Sequence, residues 1–397
     1  MLINLNPLAI IGRTYPLFRE DALRFHKEIT EKVKGARFLI IGGAGCVGSG
    51  AVKTLVKYNP KSLYILDINE NGLTEVIRDV RSSFSYSGEI KTFVIDFCGS
   101  EFTNFVNNEG PFDYVLNFSA LKHVRSEKDP YTLIRMIKVN VIYVGKALEL
   151  FKGKINKFFS VSTDKAVNPV NAMGATKRLM ELTLLEYSPE INVTSSRFVN
   201  VVFSDGSLPY GFIKRLEKNQ PLALPENIKR YFITQEEAGI LCILSAILGE
   251  NREIFIPKLE KLNPIEMIDV AEKLLSAVGL KPYYTRDPEE ARNILEKAKA
   301  EGFWPVLLTP PDTTGEKEIE TLKRNNEILD EAKYFDVDVI KLKMQDLKQY
   351  SFGEFDKKIM KIASKNSYKR DELLQILREF LPDFKHLDTG KFLDERM

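Results

Sequence analysis

Residues 36–50, ARFLIIGGAGCVGSG, pass from an apolar run straight into glycines at positions 42, 43, 45, 48 and 50. Phe38 to Ile41 are too few for a helix, and their apolar character predicts a buried strand. Gly42, Gly45 and Gly48, with Cys46 and Val47 between the last two, have the G-x-x-G-x-x-G spacing of a strand-to-helix turn. Lacking side chains, the backbone of such a turn can approach a pyrophosphate, which then rests at the positive end of the following helix. The triplet alone is a weak sign, because glycines also build ordinary turns.

Its surroundings strengthen it. KSLYILDI (61–68), IKTFVIDF (90–97), FDYVLNFSA (112–120), INKFFSVST (155–163) and INVTSSRFVNVVF (191–203) read as further buried strands. Between strands, segments such as 48–58, 71–83 and 130–151 repeat apolar residues every three or four positions and predict crossover helices. The alternation predicts an α/β fold with a doubly wound parallel sheet. Asp67 closes the second strand, 19 residues after Gly48. A carboxylate there accepts hydrogen bonds from adenosine ribose hydroxyls and repels a 2′-phosphate, favouring NAD over NADP. Asp96 closes the third strand, where it either faces the adenine or caps the strand end.

Composition excludes several function classes. The 397 residues carry a formal net charge of +2 from scattered acids and bases, which leaves no footprint for nucleic acid or an anionic membrane. Cys46, Cys98 and Cys242 lie far apart, so neither a disulfide framework nor a metal cluster is expected, and a cytoplasmic, reducing setting is. No apolar run reaches the length of a membrane span, and the N-terminus lacks a signal-peptide pattern.

The chemistry concentrates in NFSALKHV (117–124) and SVSTDKAVNPVNAMGATK (160–177) at the ends of the fourth and fifth strands. Asp164 and Lys165 are adjacent where ligands bind in such sheets, and elimination of water beside a ketone needs one group to take a proton and another to give one. A plain polar turn is the alternative. These segments, with RFVNVVFSDGS (197–207), RYFIT (230–234), EIFIPK (253–258) and GEKEIE (315–320), resemble the CapD and PglF group of UDP-N-acetylglucosamine 4,6-dehydratases. That group belongs to the extended short-chain dehydrogenase superfamily, and the resemblance covers roughly residues 36–325.

The resemblance implies a cycle on tightly held NAD: the C4 hydroxyl is oxidised with hydride passing to NAD, a C5 proton leaves, water departs from C6, and the hydride returns to C6. Asp164 would be the acid, Lys165 the base and Thr163 the hydrogen-bond partner of the C4 oxygen. Lys177 would hold the nicotinamide ribose, and either it or Asp164 would receive the C4 proton. The superfamily's usual Tyr-x-x-x-Lys is here Met173 and Lys177, and a thioether is no base. Long members of the dehydratase group also place methionine there.

Expected cofactor contacts are Gly42, Gly45, Cys46, Val47, Gly48, Asp67, Asp96, Phe97, Asn117, Ser119, Ala120, Asn140 and Lys177. A plain surface-helix asparagine is the alternative for Asn140. Expected substrate contacts are Lys122, His123, Met173, Asn200, Ser207, Arg230, Lys258 and Glu316, with Arg230 suited to pyrophosphate by its forked donors. A structural role is the stronger reading for His123. The family's R-P-G-E-K segment is altered here to Thr313-Thr314-Gly315-Glu316-Lys317, and about twenty extra residues, DPEEARNILEKAKAEGFWPV, precede it.

The expected organisation is a helical arm (1–34), an NAD-binding domain (35–202), a UDP-sugar lobe (203–340) and a helical extension (341–397), assembled as a homo-oligomer. A C5-inverting dehydratase, a 4-epimerase and a catalytically silent NAD-binding sensor are the competing readings; the Asp164-Lys165 pair speaks against the last two.

Overall fold

The computed structural model describes residues 5–315, 317 and 319–392. Six parallel strands lie in the first half of the chain: β1 (Arg37–Ile41), β2 (Ser62–Asp67), β3 (Glu89–Val94), β4 (Tyr114–Asn117), β5 (Lys157–Thr163) and β6 (Val193–Phe198). Their order in space, β6-β5-β4-β1-β2-β3, reverses direction between β1 and β4. That reversal opens the crevice in which doubly wound sheets bind ligands. Helices cover both faces, among them Cys46–Leu55 on one and Pro130–Ile137 and Ala172–Tyr187 on the other.

Short strands β7 (Asn200–Val201), β8 (Leu222–Pro225), β9 (Lys229–Arg230) and β10 (Phe232–Ile233) follow. Then come β11 (Glu253–Pro257), β12 (Ile265–Glu266), β13 (Lys281–Thr285), β14 (Phe303–Thr309), β15 (Leu329–Asp330) and β16 (Val337–Lys341). β11 adds parallel to β6, and β16 closes antiparallel on β11, so the stretch 203–340 is divided between the large sheet and the smaller lobe. In the lobe, β13, β14 and β8 form a parallel three-stranded sheet. The extra twenty residues are thus built in: they supply the helices Pro288–Asn293 and Leu295–Ala300 and the start of β14. Trp304 is buried, its indole N–H donating to the Gln220 carbonyl at 3.1 Å.

Two strand readings need correction. INVTSSRFVNVVF is not one strand: β6 ends at Phe198, and β7 leaves the large sheet to pair with β10. β3 is an edge strand with exposed Glu89, Thr92 and Val94, not a buried one.

Beneath the end of β5 lies a buried ion cluster. Arg197 on β6 donates from Nε to Glu181 Oε1 at 2.8 Å and from Nη1 to Glu327 Oε2 at 2.7 Å. Arg178 donates to the second Glu181 oxygen at 2.9 Å, and the Ser162 hydroxyl to the first at 2.6 Å. Two cations and two anions balance, which is the condition for tolerating charge in a low-dielectric interior.

Candidate active site

The carboxyl ends of β1, β2, β4 and β5 meet along one sheet edge. Gly42 turns the chain there with φ 77°, and an added Cβ would lie 2.6 Å from the Ser119 nitrogen. At Gly48 the same atom would lie 2.2 Å from the Gly42 carbonyl oxygen. Close backbone approach therefore requires both glycines. Asp67 Oδ2 accepts from the Ala44 N–H at 2.9 Å and Oδ1 from the Asn69 N–H at 3.0 Å, so this carboxylate anchors the glycine turn and keeps further lone pairs for a ligand.

Asp96 stands two residues past the end of β3. It accepts from the Cys98 N–H at 2.9 Å and from Arg135 at 2.7 Å, and against the effect of burial these bonds hold its pKa below the usual carboxylate value. Phe97 is a core residue, set edge-on against Phe102 with ring centroids 5.4 Å apart. Asn117 joins β4 to β5, donating to Ser160 Oγ at 3.1 Å and accepting from the Ser119 N–H at 3.1 Å. Ser119 and Ala120 continue from it, both half-buried, with Ser119 beside Gly42.

Asn140 is fully buried, which overturns the surface alternative. It sits in a π-helical turn, Lys138–Ile142, a distortion common at functional sites. Its amide accepts from the Leu121 N–H and donates to the Leu121 carbonyl and to Thr176 Oγ1, all at 3.0 Å. One side chain thereby fixes the loop after β4 to the helix Ala172–Tyr187.

Thr163, Asp164 and Lys165 form a tight polar group. Asp164 Oδ1 accepts from the Thr163 hydroxyl at 2.7 Å, the Lys165 N–H at 2.8 Å and the Lys165 ammonium at 3.1 Å. The Asp164 side chain is 2% exposed and that of Lys165 23%, so the lysine is the more solvent-accessible of the pair. Met173 is buried in the first turn of the helix, one turn before Lys177. Lys177 donates to the Val161 carbonyl at 2.8 Å, and burial, opposed by Glu181, pushes its pKa down to about 8.

Lys122 and His123 follow β4, and the His123 ring lies against Gly206, where an added Cβ would be 2.4 Å from Cε1. Partial burial, Lys122 and Arg125 hold the imidazole pKa below its ordinary value. Asn200 donates to the Tyr231 carbonyl at 3.2 Å, and Arg230 to that of Lys317 at 2.9 Å, so these two share one side of the site. Ser207 caps the helix Leu208–Glu217 through the Tyr210 N–H at 3.3 Å. Lys258 is committed elsewhere, donating to the Glu331 carbonyl at 2.7 Å. Glu316 lies outside the described residues. Among the described residues no cluster of histidine, cysteine or acidic side chains could hold a metal, and no helix is long and apolar enough to cross a membrane.

Residues 38–333 match the family described as polysaccharide biosynthesis protein. The chain belongs to that family. Among its relatives, an uncharacterized membrane protein of Methanocaldococcus jannaschii is 30% identical over 81% of this chain and 98% of that protein. The capsular polysaccharide biosynthesis protein CapD of Staphylococcus aureus is 30% identical over 66% of this chain, which spans only 43% of CapD. The UDP-N-acetylglucosamine 4,6-dehydratase (inverting) of Campylobacter jejuni is 29% identical over 57% of this chain and 68% of its own. The solved structure of Pen from Bacillus thuringiensis superposes with a TM-score of 0.63 over 83% of this chain and 98% of Pen, at 21% identity, and so shares the fold.

Two residues that shape this site are not among those expected from the sequence. Asn171 caps the helix Ala172–Tyr187 by accepting from the Gly174 N–H at 2.8 Å. An asparagine ahead of Ala-Met-Gly is a recognisable cap signal. Glu127, fully buried, accepts from the Ala172 N–H at the same helix end, and nothing local in the sequence marks it.

Proposed function

We propose that this chain is an NAD-dependent UDP-N-acetylglucosamine 4,6-dehydratase that makes a UDP-4-keto-6-deoxy-N-acetylhexosamine for polysaccharide or glycan synthesis. The observation that carries this reading is the Thr163-Asp164-Lys165 group at the end of β5, with Lys177 on the helix beside it. NAD fits the glycine cradle at Gly42 and Gly48, which any Cβ would fill, and Asp67 favours an unphosphorylated ribose. When bound, NAD supplies an acceptor for the C4 hydride and the donor that returns it to C6.

The rest falls to the chain's own side chains. Thr163 holds the C4 oxygen by hydrogen bond, and Lys177 or Asp164 receives the C4 hydroxyl proton as the hydride leaves. As an ion pair, Lys165 and Asp164 carry one proton between them across 3.1 Å. Moving that proton from ammonium to carboxylate leaves a neutral amine to take the C5 proton and a carboxylic acid to protonate the departing C6 hydroxyl. The pair thus holds both groups the elimination needs without drawing a proton from solvent. An epimerase has no use for such a pair. Arg230 and Asn200 are the residues we assign to the nucleotide half, and the setting is a reducing one, in keeping with three free thiols.

Incubation with UDP-N-acetylglucosamine followed by mass spectrometry should show loss of one water. An unchanged mass with a 4-epimer by NMR would replace the reading with epimerisation, and the C5 configuration of a dehydrated product separates retention from inversion.

A further inference from the structure

The family match ends at residue 333, yet a segment well beyond it, residues 384–391, runs between two loops of the site. On one side, the Leu387 N–H donates to the Val170 carbonyl at 2.8 Å, in the loop that joins the Thr163-Asp164-Lys165 turn to the helix Ala172–Tyr187. On the other, the Gly315 N–H donates to the Leu387 carbonyl at 2.9 Å, and the Thr314 N–H to the Lys391 carbonyl at 2.8 Å. Thr389 Oγ1 adds a bond to the Asp312 carbonyl at 2.8 Å. The two loops also meet directly, Asn171 Nδ2 donating to the Gly315 carbonyl at 3.3 Å and Lys317 Nζ to the Asn168 carbonyl at 2.7 Å.

A buried histidine–carboxylate contact fixes this strap at its upstream end. His386 Nε2 lies 2.8 Å from Glu127 Oε1, with side chains 3% and 0% exposed. The other oxygen of Glu127 receives the Ala172 N–H, the first free amide of the helix that carries Met173 and Lys177. A carboxylate there satisfies an orphan donor and meets the positive end of the helix dipole. His386 therefore bonds the group that holds the helix end, and the next residue of the strap bonds the adjoining loop.

We propose that His386 is a positioning residue and that residues 384–391 are a strap coupling the 312–315 loop, next to Lys317 on the Arg230 side of the site, to the loop and helix that present Asp164, Lys165 and Lys177. Ordering of the first loop by the nucleotide end of the substrate is then transmitted to the second. The inference rests on the catalytic reading of residues 163–165.

The test uses the full chain with its cofactor and compares His386→Ala, His386→Gln and Thr389→Val. Hydrogen exchange read by mass spectrometry, which needs no turnover, should speed up at residues 168–174 and 312–315 in His386→Ala, leaving β1 and β2 and the content of retained NAD unchanged. With UDP-N-acetylglucosamine, kcat should fall by roughly 10–100-fold, the range that small misplacements of reacting groups produce. Glutamine can donate to Glu127 Oε1, so His386→Gln should recover most of both effects. Thr389→Val, a surface change, should speed exchange only at 312–315, and it keeps the test open if the alanine variant does not fold. Wild-type exchange in both His386→Ala and Thr389→Val, or a glutamine variant as impaired as alanine, would overturn the proposal. Failure of the wild type to dehydrate the sugar would overturn the proposed function, while the exchange result still judges the strap.

Discussion

The Lys177 ammonium donates to the Val161 carbonyl oxygen at 2.8 Å inside a shell that leaves the lysine 4% exposed. Burial brings its pKa down to about 8. In the unfolded chain a lysine titrates near 10.4. Between those values the unfolded state binds more protons, so this residue makes stability rise as pH climbs from about 8 to 10. Lys177→Met removes that contribution. Denaturant unfolding at pH 7.5, 9 and 10 should find the variant's stability gaining on the wild type as pH falls. A difference that stays flat across this window would mean that Lys177 is not held with a depressed pKa.

Asp164→Asn and Lys165→Met keep shape or stem and remove one member of the pair. Each should stay folded, retain NAD and lose about two to four orders of magnitude in turnover. In heavy water the wild type should place deuterium at C5 of the product and carry the C4 hydrogen to C6 undiluted. Wild-type C5 exchange in Lys165→Met would remove lysine from the role of base.

Met173 is buried among apolar side chains, and its thioether has no acid–base chemistry to offer. Met173→Ala should destabilise the protein by about 2–5 kcal/mol, as large-to-small core changes do. Measured well below the melting temperature, its activity should fall by much less than that of Asp164→Asn. Equal losses would assign Met173 a direct part in catalysis.

Gly48→Ala places a methyl group 2.2 Å from the Gly42 carbonyl oxygen, with backbone on both sides of the clash. The variant should be purified without nucleotide. Wild-type protein, denatured, should release NAD; recovery mainly of NADP would refute the role given to Asp67.

How far the sequence reveals all this depends on the range of each interaction. β1, β2, β4 and β5 are legible because strands buried on both faces are mostly apolar, and the glycines and Asp67 because their work is set by local spacing. β6 and β7 merge in the sequence because apolar residues continue through Val199, while the change of sheet is made by β10, 32 residues further on (Phe232 opposite Asn200). Asn140 looks like any helical asparagine; its burial comes from Leu121 and Thr176, brought to it by the fold. Glu127 and His386 are 259 positions apart, and no pattern along the chain joins them. β11 and β14 contain apolar runs, EIFIP and FWPVLLT, but each includes a proline, and β16, VDVIK, carries two charged residues in five, so none has the uninterrupted apolar pattern of a buried strand.

The ion cluster of Arg178, Glu181, Arg197 and Glu327 has a consequence for how this protein can vary. Removing one member strands a charge in the interior, at about 3–5 kcal/mol, whereas exchanging the whole set for well-packed apolar side chains is close to neutral. Single steps are therefore closed while the concerted change is open. Across descendants of this chain, these four positions should either all persist or all be replaced, and a chimera that takes the 322–327 segment from one parent and the β5–β6 region from another inherits the penalty unless both parents kept the same four residues.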